Sequence, residues 1–283
     1  MKNTVKRVLL FFLATPALLA AILLFPEPQH LPFKLLVVVA SGLAGMEVLA
    51  IFRASPVGSS GVRVVAFAAG AAPPAAATVA GFLAAEWIVF TVLVALPALV
   101  FAVGALSTPA GHFEALLPAL AAYFFAMVYP GLFALHGVFI AGLPHASILL
   151  IVFLTSVFLN DSTAYVTGML FGGRSRSVVA VSPNKSLAGF VGGSIASVVV
   201  IVVAGVVLPQ AFPGTILLRI LFGAVLGAAT ILGDLAESAL KRSASVKDSG
   251  NLIPGRGGIL DSADSPLYVA PVFYYLYLAL FGG

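Results

Sequence analysis

The run LAGFVGGSIASVVVIVVAGVVL occupies residues 187–208 and contains no charged side chain. A helix that crosses a bilayer needs about 20 mostly apolar residues, so this run predicts a transmembrane helix. Eight further runs have the same character: Val8–Phe25, Leu35–Phe52, Val64–Ala84, Trp87–Leu106, Leu116–Leu135, Ile148–Tyr165, Thr215–Leu240 and Pro266–Phe281. The sequence therefore predicts an all-α, polytopic membrane protein with about nine transmembrane helices.

The composition supports the bilayer as the solvent of this chain. Of its 283 residues, 61% are hydrophobic and only 8% are charged, whereas a soluble domain carries about 25% charged residues. Cysteine is absent, which excludes a thiolate nucleophile and a Cys-ligated zinc site. The Pro73–Pro74 pair makes the third run the least regular, and a kink or a break is expected there.

The N-terminal run, Met1 to Phe25, has two readings. Lys2, Lys6 and Arg7 precede its apolar part, as in a secretory signal peptide. No clear small-x-small cleavage site follows, and the run is interpreted as the first spanning helix.

Lys and Arg residues indicate the orientation, because cytoplasmic loops are enriched in them. With nine helices, only Lys34 and Arg219 fall on the outer side, whereas twelve fall on the other: Lys2, Lys6, Arg7, Arg53, Arg63, Arg174, Arg176, Lys185, Lys241, Arg242, Lys247 and Arg256. The asymmetry predicts a protein of the cytoplasmic membrane with its N-terminus inside and its C-terminus outside.

Polarity divides the chain into residues 1–150, nearly uniform hydrocarbon, and residues 151–283, where the chemistry is expected. Residues 151–265 hold six of the ten acidic side chains and the two longest polar connections, Gly168–Ser186 and Lys241–Ser265. In this half, Gly189-x-x-x-Gly193 and Gly223-x-x-x-Gly227 are interpreted as sites of close helix packing.

Two acidic residues lie in or at the end of apolar helices, where a carboxylate is costly and usually functional or paired. Asp161 ends one run, and Asp234 lies within the eighth. An interhelical ion pair or a solvated helix end is the alternative. Near the helical face of Asp234 lie Glu237, Ser238, Lys241 and Arg242.

The segment 241–264 combines four cations, three carboxylates and a glycine-rich turn within 24 residues. Glycines allow a backbone to approach phosphates, and Lys and Arg neutralise phosphate charge. Asp261 and Asp264 are three residues apart, so a helical turn would direct both at one ion, and oxygen ligands beside phosphates suit Mg²⁺. The composition predicts a metal-assisted phosphate site; a solvated basic loop is the alternative.

Three stretches of this half occur in a familiar order: Asp161-Ser162-x-Ala164-Tyr165-x-x-Gly168, Ser182-Pro183-Asn184-Lys185-Ser186-x-x-Gly189, and Ser238-x-x-Lys241-Arg242-x4-Lys247-Asp248-x5-Pro254-Gly255-x-Gly257-Gly258-x-x-Asp261-x-x-Asp264. Over about residues 160–265 the chain thereby resembles the phosphatidate cytidylyltransferases. It departs from their usual pattern at Arg256, where they have His, at Ser262, where they have Arg, and at Ala188, where they have Glu.

The resemblance implies transfer of CMP from CTP to phosphatidate, with Mg²⁺ alone or with a second cation as cofactor. It implies a polar cavity on the cytoplasmic side, a homodimer and no nucleic-acid partner. The reaction is assigned to Asp234, Asp261, Lys185, Lys247 and Arg256. Metal binding is assigned to Asp234, Asp261 and Asp264, with Asp161 as a further candidate. Substrate binding is assigned to Lys241, Arg242, Ser238, Gly255, Gly257, Gly258 and Asp248.

Two other functions are consistent with an intramembrane acidic cluster. A CTP-dependent lipid kinase, or a cytidylyltransferase for another lipid phosphate, would use a similar site. A cation-coupled transporter would also hold carboxylates in the membrane, but paired broken helices in an inverted repeat are not found. Outside the cluster, Glu47, Glu86 and Glu114 are interpreted as interfacial residues.

Overall fold

The computed structural model describes residues 2–52, 60–108, 111, 113–173 and 179–282. Arg53, Arg174 and Arg176, which contribute to the charge asymmetry, lie outside these residues. Across the described residues the chain forms ten α-helices: α1 (Lys2–Leu23), α2 (Leu31–Ile51), α3 (Ser60–Leu83), α4 (Trp87–Ser107), α5 (Leu116–Ala126), α6 (Phe133–Ile140), α7 (Ala146–Phe171), α8 (Leu187–Val207), α9 (Ile216–Ser243) and α10 (Leu260–Phe281).

Each of the nine predicted runs corresponds to helical structure. The fifth run is α5 and α6 joined by a π-helical turn, Met127–Leu132, which makes one apolar segment from Phe113 to Ile140. Seven segments of the described chain are long and apolar enough to cross a membrane, and α1 and α10 are not among them. The all-α multi-pass membrane fold is confirmed, whereas the count of nine crossings and the orientation stay predictions.

Of the kink or break expected at Pro73–Pro74, the break is wrong, because α3 continues through both prolines, and the kink stays a prediction. A proline has no N–H, so Pro74 frees the carbonyl of Gly70, one helical turn earlier. The hydroxyl of Ser41 on α2 lies 2.6 Å from that carbonyl and 2.7 Å from the carbonyl of Pro130, and its one proton serves both acceptors in turn. A side chain of a neighbouring helix thus replaces the missing hydrogen bond, as membrane helices with internal prolines require.

By its contacts the chain forms two compact units, one of residues 1–142 and 243–263 and the other of residues 143–242 and 264–283. The predicted division at residue 150 rests on polarity, which is a different criterion. The first is called unit 1 and the second unit 2.

The predicted glycine packing is confirmed in unit 2. A Cβ at Gly189 would lie 2.8 Å from the carbonyl oxygen of Ala164, and one at Gly227 would lie 2.8 Å from the Cα of Ser194. Such backbone contacts are open only to glycine, and they hold α7, α8 and α9 close together. The buried amide of Asn160 donates to the hydroxyl of Ser197 across 2.9 Å and ties α7 to α8.

Candidate functional site

Residues 243–263, the part of the predicted phosphate segment that belongs to unit 1, are called the glycine-rich segment. This segment closes on itself in a tight turn. The amide of Arg256 donates to the carbonyl of Ile253 across 3.1 Å. Pro254 and Gly255 occupy the two central positions, and Gly255 has φ 81°. Proline fixes the φ of the first central position, and a type II turn needs φ above zero at the second. A bridge between Ile253 and Gly257 completes the turn.

The segment then enters α10, whose first amide groups donate to carboxylates of the protein itself. The amides of Ile259 and Leu260 each lie 2.8 Å from an oxygen of Glu47 on α2. The amide of Gly258 lies 2.7 Å from Oδ2 of Asp261. The first amides of a helix lack intrahelical partners and carry partial positive charge, so carboxylates are stabilised there. These amide groups therefore already donate hydrogen bonds to carboxylates within unit 1.

Ser249 connects the two carboxylates. Its buried hydroxyl lies 2.9 Å from Oε2 of Glu47 and 2.9 Å from Oδ2 of Asp261, and its amide donates to the same Asp261 oxygen across 2.8 Å. A hydroxyl has one proton and donates to one acceptor at a time. Glu47, Ser249 and Asp261 thus form one hydrogen-bonded group around the start of α10.

The glycines of the segment leave room for these carboxylates. A Cβ at Gly258 would lie 2.5 Å from Cδ of Glu47, and one at Gly250 would lie 2.7 Å from its Oε1. Gly257 has φ 110°, which side chains of L-residues rarely adopt, and a Cβ there would lie 3.1 Å from Cγ of Asp261. The sequence predicts that these glycines let the backbone approach phosphates, and the structure shows that they also let the carboxylates of Glu47 and Asp261 approach.

Glu47 was missed by the sequence analysis. The interfacial interpretation is wrong, because its side chain is buried and its oxygens accept hydrogen bonds from the glycine-rich segment. Those partners lie more than 200 positions further along the chain, beyond any local pattern. The available indication was a carboxylate between Met46 and Val48 in an otherwise apolar helix, since such residues are usually functional.

In unit 2 a local turn and a helix cap position Lys185. The amide of Lys185 donates to the carbonyl of Ser182 across 3.0 Å, which closes a turn with Pro183 at its first central position. The next residue, Ser186, caps α8 because its hydroxyl accepts from the amide of Gly189 across 3.1 Å. Lys185 is thereby held just before α8, and its ammonium group pairs with the carboxylate of Asp234 on α9.

Three further charged side chains belong to this cluster. Glu237 and Lys241, one turn apart on α9, form an ion pair of 2.5 Å with the glutamate fully buried. Asp264 lies in the first turn of α10, and Gly233 lets that turn approach α9, since a Cβ there would lie 3.2 Å from the Asp264 carbonyl. We call Lys185, Asp234, Glu237, Lys241 and Asp264 the acid–lysine cluster.

The surroundings of the acid–lysine cluster disfavour a negative charge on Asp264 beside Asp234. Burial, and after it the negative charge of Asp234, raise the pKa of Asp264 to about 6. The Ser265 amide, Lys241 and Lys185 oppose this shift. A cation would relieve the repulsion between two neighbouring carboxylates and favour the charged form of both. Asp234 and Asp264 therefore fit a hard divalent ion, whose preferred ligands are oxygens.

The other predicted site residues are distributed over both units. Asp161, Arg242 and Ser238 belong to unit 2, and Asp161 and Arg242 are exposed. Lys247, Asp248 and Arg256 are exposed in the glycine-rich segment of unit 1. Over the described ranges, no three or more His, Asp or Glu side chains are grouped so that they could hold a metal ion. A site shared by Asp234, Asp261 and Asp264 stays a prediction.

The sequence profile of the cytidylyltransferase family matches residues 5–280. A phosphatidate cytidylyltransferase of Bacillus subtilis (strain 168) is 48% identical over 123 residues, which are 43% of this chain and 44% of that protein.

Two further relatives show the same partial coverage. A phosphatidate cytidylyltransferase of Thermotoga maritima is 40% identical over 132 residues, 46% of this chain and 48% of that protein. An uncharacterized protein of Escherichia coli (strain K12) is 39% identical over 145 residues, 50% of this chain and 47% of that protein. The matched region thus spans less than half the length of each relative.

Proposed function

Because this chain belongs to the cytidylyltransferase family, we propose that it transfers CMP from CTP to phosphatidate and releases pyrophosphate. The observation that carries the proposal is the acid–lysine cluster, in which Lys185 and Lys241 accompany two carboxylates that repel each other. A reaction between two phosphate anions needs such positive charge, and it needs little else from the protein. The relatives named phosphatidate cytidylyltransferase support the choice of substrates.

The proposed reaction requires no covalent intermediate with the protein. An oxygen of the phosphatidate phosphate forms a bond to the α-phosphorus of CTP, and the bond from that phosphorus to the β-phosphate oxygen breaks. The electron pair of the broken bond leaves with pyrophosphate. A phosphate monoester is already an anionic nucleophile, which agrees with a chain that lacks cysteine. The protein's part is to align the two substrates and to stabilise the leaving charge.

Asp234 and Asp264 would hold Mg²⁺, with Asp261 and Asp161 as further proposed ligands and a second cation as an option. The bound ion would supply positive charge to the phosphates and fix their alignment. Lys185 and Lys241 lie in the acid–lysine cluster and would contact phosphate oxygens as compact, mobile charges. Arg242, Lys247 and Arg256 supply further cations, and all three are exposed.

The substrates also fix where the site should open. CTP is water-soluble and phosphatidate is held in the leaflet, so we propose a polar cavity at the cytoplasmic face of the cytoplasmic membrane. The proposed N-terminus is inside and the proposed C-terminus is outside. A homodimer is proposed from the family resemblance alone.

The test is pyrophosphate release by the purified full chain in mixed lipid–detergent micelles. Release should require CTP, Mg²⁺ and phosphatidate together, and omission of any one should abolish it. The Asp234→Asn variant should be inactive, whereas Glu114→Gln, which neutralises an exposed carboxylate elsewhere, should keep the full rate. Release with another lipid phosphate but not with phosphatidate would refute the proposed acceptor.

A further inference from the structure

We propose that Glu47 is a positioning residue of this enzyme, which holds Asp261 and the glycine-rich segment in place through Ser249 and the first amides of α10. The inference rests on the proposed function, because it takes Asp261 as part of the reaction site. Glu47 itself contacts no substrate in this account. Its contacts with Ser249, Ile259 and Leu260 all lie within unit 1.

Hydrogen-bond geometry shows how much of the segment depends on Glu47. Its Oε1 accepts the amide of Ile259, and its Oε2 accepts the amide of Leu260 and faces the hydroxyl of Ser249, all within 2.9 Å. The same hydroxyl faces Asp261, whose own amide points back to it across 3.3 Å. One buried carboxylate thereby holds the helix start and, through the Ser249 hydroxyl, helps to hold the carboxylate of Asp261, which also accepts from the amides of Ser249 and Gly258.

Simple stabilisation does not account for this arrangement. A helix start is ordinarily capped by a Ser, Thr, Asp or Asn next to it in the sequence. Such a cap does not require a charged side chain from a distant part of the chain to be buried. Here the capping group comes from α2, and no Lys, Arg or His of the described residues forms a salt bridge with it. Burying a carboxylate without a cation is costly. The benefit specific to this arrangement is a fixed position of the segment relative to α2.

The surrounding glycines agree with a position that tolerates little change. Gly250 and Gly258 lie so close to the Glu47 carboxylate that a side chain at either would collide with it. The glycine-rich segment thus contacts the Glu47 carboxylate at two positions that leave no room for a side chain. A segment that only needed to be flexible would not require this contact.

Two variants separate positioning from capping. Glu47→Gln keeps the shape, but its NH₂ group would face an amide donor, so one donor loses its acceptor. Ser249→Ala removes the hydroxyl that links Glu47 to Asp261, and it keeps both Glu47–amide contacts and the backbone amide bond from residue 249 to Asp261. Glu86→Gln is the matched control, because Glu86 is an exposed carboxylate at the start of another helix.

The first measurement is hydrogen–deuterium exchange of the full chain without substrate or metal. Glu47→Gln should speed exchange at Ile259 and Leu260 about tenfold or more, because the loss of a buried acceptor exposes its donors. Ser249→Ala and Glu86→Gln should leave these two amides as they are. Unchanged exchange in Glu47→Gln would overturn the proposed capping.

The second measurement is steady-state pyrophosphate release. Both Glu47→Gln and Ser249→Ala should lower kcat by about 100-fold, the effect expected when a catalytic group is displaced by about 1 Å. The KM for CTP should change by less than about threefold, because neither side chain is assigned to nucleotide binding. Glu86→Gln should match the unaltered chain in both constants.

These outcomes separate a failure of the proposed function from a failure of the positioning role of Glu47. An unaltered chain that releases no pyrophosphate overturns the proposed function, and the positioning role with it, whatever the exchange shows. An active chain in which Glu47→Gln and Ser249→Ala keep the full kcat overturns the positioning role alone. A low kcat in Glu47→Gln with a full kcat in Ser249→Ala would also overturn it, since Asp261 would then not depend on the link.

Discussion

Gly258→Ala tests whether the close approach of Glu47 to the start of α10 is required. The added Cβ would lie 2.5 Å from Cδ of Glu47, whereas ordinary contacts of this kind begin at 3.4 Å. The carboxylate, or the backbone at residue 258, must therefore shift by about 1 Å, and inserting a methyl group into a packed site costs about 1–3 kcal/mol.

The shift also breaks a hydrogen bond. Oε2 of Glu47 lies 2.8 Å from the amide of Leu260, and a displacement of about 1 Å carries that pair beyond hydrogen-bond distance. A hydrogen bond to a charged group contributes about 1.5–3 kcal/mol. Because movement of the segment relieves part of each cost, we expect the free energy of local opening at the start of α10 to fall by about 2 kcal/mol in all.

Hydrogen–deuterium exchange of the purified chain measures this change directly. A loss of about 2 kcal/mol should accelerate exchange at Ile259 and Leu260 about 30-fold. The control is Gly137→Ala in α6, where an added Cβ meets its nearest neighbour, Val37, at an ordinary 4.0 Å. Wild-type exchange in Gly258→Ala, or an equal effect of the control, would refute the reasoning.

Three further results are expected. The Arg256→His, Ser262→Arg double variant should raise the initial rate of pyrophosphate release at saturating CTP and Mg²⁺, because it returns a cation beside Asp261 and a group that exchanges protons near neutral pH; an equal or lower rate in a folded variant would make the native residues adaptations. Lys185→Gln should lower kcat about 10²–10³-fold, because it removes the cation paired with Asp234, and a loss below about tenfold would exclude Lys185 from charge stabilisation. A reporter fused after the last residue should read as external, and a cytoplasmic reading would mean an even number of crossings.

Most of the fold could be predicted from the sequence, because the bilayer imposes a simple rule on length and hydrophobicity. The uncharged run at residues 187–208 became α8, and the other eight runs also became helical. The glycines at 189 and 227 also followed their expected packing. Local composition suffices where the physical cause is local.

The absence of a break at Pro73–Pro74 has a non-local cause. The missing amide of Pro74 is compensated by Ser41, which is 29 positions away from the carbonyl it serves. The residues adjacent to the prolines do not indicate that Ser41 supplies this hydrogen bond. Proline within an apolar run therefore predicts a demand for a polar partner more reliably than it predicts a break.

The site was predictable in part for the same reason. Helical spacing places Asp234, Glu237 and Lys241 near one face of α9, and Glu237 pairs with Lys241 there. The pairing of Lys185 with Asp234 needed two separate stretches to meet. The role of Glu47 could not be found from the pattern around it, because its partners, Ser249 and the first amides of α10, are supplied by the fold.

The fate of the phosphates of CTP tests the central claim most directly. Purified protein is supplied with phosphatidate, Mg²⁺ and CTP labelled at either the α- or the γ-phosphate, and the lipid is extracted. Transfer of CMP predicts α-label in the lipid and γ-label in water-soluble pyrophosphate. Recovery of γ-label in the lipid would identify a CTP-dependent lipid kinase. A lipid that carries neither the α- nor the γ-label would contradict a transferase acting on phosphatidate.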